Sequence, residues 1–142
     1  MSTNYTEEEQ VTINLLEQHV NAELRGDLAT TTSTMTDAPH LLNIPNMMGG
    51  DDYAGVKRFY ENHLVGKFFP PDVEMHRISL TVGKKVEVGL VVIVGVKDKK
   101  MAHEHIYWDQ ASVLNQVGLL DSKDLPICGS ESAQKLLQFK EK

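Results

Sequence analysis

The chain has 142 residues, 41% of them hydrophobic and 24% charged, with a formal net charge of −6. That length buries a core without disulfides, and the composition is that of a folded soluble domain rather than a disordered chain. The acidic balance argues against a nucleic-acid partner, the single cysteine, Cys128, excludes an intrachain disulfide and a Cys-rich zinc site, and the longest apolar run, 90–94, is too short to cross a bilayer.

The opening MSTNYTEEEQ is polar and acidic, so no secretory leader is expected and the chain is read as cytoplasmic. Thr6 and Glu9 form a capping box at the start of a first helix. Val11, Leu15, Leu16, His19, Val20 and Leu24 recur along it at helical spacing. His19, on that apolar face, reads as a hydrogen-bonded core residue. Gly26 ends the helix, and Asp27 caps a short second one running to about Met35. Pro39 and Pro45 bracket a short extended segment, and Gly49-Gly50 reads as a turn. Asp51 or Asp52 caps a third helix, whose apolar face carries Tyr53, Val56, Phe59, Tyr60, His63 and Leu64.

From Val73 the period changes to two, which predicts strands over 73–82, 86–97 and 101–110, the last two joined at 98–100. Short helices are predicted over 111–117 and from Ser130 onward. Helices followed by antiparallel strands on short turns indicate an α+β fold, with a bent sheet wrapped on the early helices.

The densest polar and aromatic segment is MAHEHIYWDQ at 101–110. On a strand, alternation puts His103, His105, Tyr107 and Asp109 on one face, and Ala102, Glu104, Ile106 and Trp108 on the other. Three readings are open. The His/Tyr/Asp face lines a cavity and supplies acid–base groups, because burial moves such groups toward neutral pKa. Alternatively, His103 and His105 share a metal ion, as i and i+2 ligands on a strand can. Or these side chains form a structural hydrogen-bond network. Two histidines without a clear third ligand leave a metal site incomplete, so no bound transition metal and no cofactor are expected. Further pocket candidates are Asn43, a polar residue between Leu42 and Ile44; His63 and Phe59 on the third helix; and Met47, beside the Gly49-Gly50 turn. Neither a glycine-rich phosphate loop nor G-x-S-x-G occurs, which disfavours nucleotide-dependent and α/β-hydrolase chemistry.

The segments MTDAPHLLNIPNMMGG (35–50), VKRFYENHL (56–64), RISLTVG (77–83), HEHIYWDQASVLNQVGLL (103–120) and LPICGSESAQKLL (125–137) resemble the SnoaL-like polyketide cyclases of the nuclear-transport-factor-2-like superfamily. The resemblance covers most of the chain and implies one SnoaL-like domain over 1–142. It implies a cone-shaped α+β barrel whose bent antiparallel sheet opens as a pocket. It also implies a small, apolar, carbonyl-bearing ligand and, if the chain is catalytic, proton transfer α to the carbonyl. Asp109 would then be the acid–base and His105 its partner, with His103 and Tyr107 orienting the substrate. The other reading is a non-catalytic ligand-binding or dimeric module of the same fold. In relatives a further strand and loop follow the segment matching 81–83, whereas here Gly83 runs directly into Lys84, so one strand is expected to be missing. The apolar strand that follows has two faces to cover, and a homodimer is expected.

Overall fold

The computed structural model describes residues 5–64 and 84–139, without the side chains of His63 and Leu64. The strand predicted over 73–82 lies outside the described residues. Elements run α1 (Glu7–Leu24), α2 (Leu28–Ser33), β1 (Met35–Asn43), a 3-10 turn (Ile44–Asn46), β2 (Met48–Gly50), α3 (Tyr53–Leu64), β3 (Leu90–Lys97), β4 (Lys100–Trp108), α4 (Gln110–Gln116) and α5 (Glu131–Leu137). Four strands form one sheet in the order β2-β1-β4-β3. The described chain is therefore α+β, as its sequence predicts.

The chain divides into two compact units. The described residues of the first are 5–43, 47–64 and 92–105, which hold α1 to α3, β1, β2 and most of the β3–β4 hairpin. Its helices start where the capping chemistry places them. Thr6 accepts from Glu9 N while the Glu9 carboxylate takes the Thr6 N–H at 2.7 Å, and Asp27 accepts from Thr30 N at 3.0 Å. The core joins Leu15 of α1, Met35 and Leu41 of β1, Val56, Phe59 and Tyr60 of α3, and Met101 of β4. Burying these side chains is the main force holding helices to sheet.

Several elements differ from their prediction. The second helix stops at Ser33, and β1 begins at Met35 and runs through Pro39. Proline is tolerated there because β2 pairs only with Leu41–Asn43, so β1 has no β2 partner at 39. Gly49 and Gly50 form strand β2 rather than a turn. A Cβ at Gly50 would overlap the backbone of Gly55 and Val56, so this glycine allows the start of α3 to lie directly against the strand. The third predicted strand ends at Trp108, because Asp109 caps α4. The β3–β4 turn forms where expected, with Asp98 and Lys99 at φ 53° and 59°, the left-handed pair of a type I′ hairpin.

The described residues of the second unit are 44–46, 84–91 and 106–139. Side chains bonded to backbone tie its described parts together. Gln116 and Glu87 exchange two bonds of 2.9 Å, side-chain carbonyl to N–H and side-chain amide to C=O. These occupy backbone groups of Glu87 that a strand ladder would use, and the strand predicted from Val86 begins only at Leu90. Ser112, fully buried, donates to Gly129 O at 2.7 Å and accepts from Gln116 at 3.1 Å.

Candidate functional site

Strand β4 presents two chemically distinct faces. Glu104 is buried at 6% exposure, and its carboxylate accepts the Tyr60 hydroxyl of α3 at 2.6 Å. Tyr60 lies 3.1 Å from His19 Nε2 on α1, and His19 Nδ1 lies 2.7 Å from Thr34 Oγ1. Both Tyr60 and His19 are buried. The Thr34 hydroxyl donates to Thr31 O at 2.6 Å, so toward His19 it can only accept. His19 therefore carries a proton on Nδ1.

That assignment leaves two proton arrangements for the chain of contacts. In one, His19 is an imidazolium that donates through Nε2 to Tyr60, and Tyr60 donates to an ionised Glu104. In the other, Glu104 holds the proton and donates to Tyr60, and Tyr60 donates to a neutral His19. Both hold the same number of protons and differ in whether one of them sits on His19 or on Glu104, so the triad is net neutral in either. Burial pushes the Glu104 pKa upward; the Tyr60 hydrogen bond opposes this, the Glu23 carboxylate adds to it, and His19 opposes it. Burial and the facing Glu104 and Glu23 also raise the Tyr60 pKa, so the phenol keeps its proton. Glu23, half-buried, stands 3.7 Å from His19 Nε2.

His19, Glu23 and Glu104 offer one imidazole nitrogen and two carboxylate oxygens within 4.8 Å of one another, a donor set that a divalent cation accepts. The Tyr60 hydroxyl stands among these atoms and already bridges His19 and Glu104, so a cation would enter only by displacing it.

On the opposite face of β4, His103 and His105 meet His40 of β1. His40 Nε2 lies 3.0 Å from His105 Nε2. The three ring centroids form a near-equilateral triangle with sides of 5.0, 5.1 and 5.0 Å. Gly95 of β3 makes room for this group, since a Cβ there would overlap the His103 ring. Alternation thus assigns the histidines to one face and Glu104 to the other, as the sequence predicts. The face against the helices, however, is the Glu104 face.

The other site residues named from the sequence fall as follows. Asp109 is exposed and accepts from Ser112 N at 3.1 Å as the cap of α4. Tyr107 is exposed. Phe59 is a core residue, edge-on to Tyr60 at 5.5 Å. Asn43 is half-buried at the end of β1, opposite Met48 in the pairing with β2. Met47 is 74% exposed, and the His63 side chain lies outside the described residues. Glu104 was not singled out by sequence. The available signal was that His19 and Tyr60, each on the apolar face of a helix, need a polar partner that only the sheet can supply.

Searched against protein-family models and against curated proteins, the chain matches none. Among solved structures it is similar to an NTF-2-like protein of unknown function from Burkholderia xenovorans LB400, at 14% identity and a TM-score of 0.49, over 76% of this chain and 93% of that one. No described helix is long and apolar enough to cross a membrane.

Proposed function

We propose that the chain is a nuclear-transport-factor-2-like protein of SnoaL type that binds a small, apolar, carbonyl-bearing molecule and moves a proton at the carbon beside the carbonyl. The proton-carrying unit is Glu104–Tyr60–His19, in place of the Asp109–His105 pair that the family resemblance implies. One observation carries this reading: a buried carboxyl with a raised pKa, 2.6 Å from a phenol that a histidine backs. A carboxyl moved toward neutrality is suited to taking and returning a proton near pH 7. The relay lets that proton shift between Glu104 and His19 without net charge in the core. Glu23, half-buried beside His19, marks the side from which a ligand would reach the relay.

A non-catalytic role is the competing reading, and it too has an observation in its favour. Among the described buried side-chain nitrogens and oxygens, none lacks a hydrogen-bond partner. A fully satisfied network is also what a structural clamp between α1, α3 and β4 requires. Hydrogen–deuterium exchange at carbon separates the two. A panel of small cyclic ketones and β,γ-unsaturated ketones is incubated with the protein in D2O and followed by proton NMR. The catalytic reading expects α-exchange or isomerisation above the buffer rate, lost in Glu104→Gln. Exchange at the buffer rate across the panel, with ligand-induced shifts confined to other residues, contradicts it.

The homodimer belongs to the same proposal. Strand β3 is one edge of the described sheet, and Leu90, Val91, Val92 and Ile93 are 59%, 60%, 45% and 50% exposed along it. A contiguous apolar edge is a surface that a second copy would cover. Light scattering at micromolar concentration tests this, with a monomeric mass that does not change with concentration as the contrary result.

A further inference from the structure

We propose that Thr34 is a positioning residue that holds the His19 proton on Nδ1 and so ties the loss of a proton from Glu104 to its gain by His19. The inference rests on the Glu104–Tyr60–His19 unit proposed above and adds to it a fourth member, from the hydroxyl run TTTST at 30–34.

In that run the hydroxyls spend their single proton on nearby helix carbonyls. Thr31 donates to Asp27 O at 2.8 Å, Thr32 to Leu28 O at 2.9 Å and Ser33 to Thr30 O at 2.8 Å. Thr34 donates to Thr31 O at 2.6 Å and has a second contact, His19 Nδ1 at 2.7 Å. A carbonyl has no proton to give. The hydroxyl proton therefore lies toward Thr31 O, since otherwise two acceptors would face each other at 2.6 Å. Toward His19 the Thr34 oxygen presents a lone pair, and the proton in that contact belongs to Nδ1. The oxygen is held in place. Thr34 is buried, its N–H donates to Thr30 O at 3.3 Å, and its C=O accepts from Met101 N of β4 at 2.9 Å. The titratable neighbours Tyr60 of α3, Glu23 of α1 and Glu104 of β4 stand 3.1, 3.7 and 4.0 Å from Nε2, at the other end of the contact chain.

A neutral imidazole carries one ring proton, and the hydrogen bond at one nitrogen decides where it sits. On Nε2 it would be donated to Tyr60, and Tyr60 would donate to an ionised Glu104. Glu104 would then have lost its proton while His19 gained none. That arrangement sets a bare Nδ1 against the Thr34 lone pair at 2.7 Å in a buried site, which is costly. With it excluded, Glu104 gives up a proton as Nε2 takes one, and the charges arise as a pair. Thr34→Val keeps the shape, leaves Nδ1–H without an acceptor and admits the excluded arrangement.

Two-bond nitrogen–proton NMR correlation of the His19 ring, assigned through bonds to its backbone, reads the tautomer without any ligand. The parent should keep Nδ1 protonated throughout a pH titration of the folded protein, with Nε2 alone changing. Thr34→Val should move the neutral-ring proton to Nε2 and lower the pH at which the Glu104 carboxyl ionises, and Thr34→Ser should restore both. Ketone exchange should fall about tenfold or more in Thr34→Val and recover in Thr34→Ser. A bare Nδ1 in the parent overturns the proposal, and this reading needs no variant to fold. A folded Thr34→Val with the parent's tautomer, or with an unchanged Glu104 midpoint, overturns it equally. The two proposals fail separately. Exchange at the buffer rate with Nδ1 protonated and released by Thr34→Val contradicts the chemistry and upholds the positioning, whereas enzymatic exchange with a bare Nδ1 contradicts the positioning alone.

Discussion

Two residues one position apart on β4 live in different chemical worlds. Glu104 is buried against α1 and α3 with its carboxylate accepting from Tyr60, while His103 and His105 stand on the other face with His40. Burial makes the first set costly unless every proton has a partner. In the second set His40 is exposed and His103 and His105 are only half-buried, so water can satisfy their ring nitrogens. A polar side chain on a strand thus takes its role less from its type than from the face on which it falls.

The largest expected effect comes from His19→Ala. It removes a buried ring and one of the two hydrogen-bond contacts that the Thr34 and Tyr60 hydroxyls each make, which should cost about 3 kcal/mol or more in urea unfolding. A loss under about 1 kcal/mol would mean that the enclosed face tolerates open polar groups. Tyr60→Phe keeps the ring and removes the bridging hydroxyl, stranding His19 Nε2 and Glu104. The expected loss is about 1–3 kcal/mol by the same measurement.

Glu104 itself should leave a signature in pH. Its folded-state pKa is raised, so between the unfolded and folded values the native state binds more protons than the unfolded one. Its contribution to stability is complete below the unfolded value, near 4.5, and is lost as pH rises through the folded value. Denaturant midpoints across that window should decline with pH in the parent and decline less in Glu104→Gln. An identical pH profile in the two proteins would remove Glu104 from the comparison. Asp109→Ala should cost about 1 kcal/mol through loss of the α4 cap and leave any ketone exchange intact. Loss of exchange without loss of stability would return the acid–base role to Asp109. The smallest effect belongs to the open face, where His40→Ala should change stability by no more than about 0.5 kcal/mol.

Local chemistry was legible in the sequence. The capping box at Thr6, the Asp27 cap, the Asp98-Lys99 turn and the role of His19 as a satisfied core residue all follow from neighbours a few positions apart. The alternation of β4 correctly separated His103 and His105 from Glu104, but parity says which residues share a face and not which face is enclosed. A glutamate flanked by two histidines reads as outward until the partners on α1 and α3 are known, and those are fixed by contacts 44 and more residues apart. The position of Asp109 was open to two readings. It extends the alternation of the strand, and it also stands three residues before Ser112 at the head of a helix, where the capping geometry prevails. His40 joins the histidines through strand order alone, which no local pattern encodes. The late start of β3 depends on Gln116 holding Glu87, a contact across 29 positions.

Carbon-13 NMR of the glutamate side-chain carboxyls through a pH titration, with Glu104 assigned by its absence in Glu104→Gln, tests most directly whether the enclosed face holds the proton-carrying group. The account expects the Glu104 resonance to titrate above the ordinary glutamate value of 4.5 and above the exposed Glu9 and the half-buried Glu87, whose hydrogen bonds hold them below it. A Glu104 midpoint at or below 4.5 would contradict it.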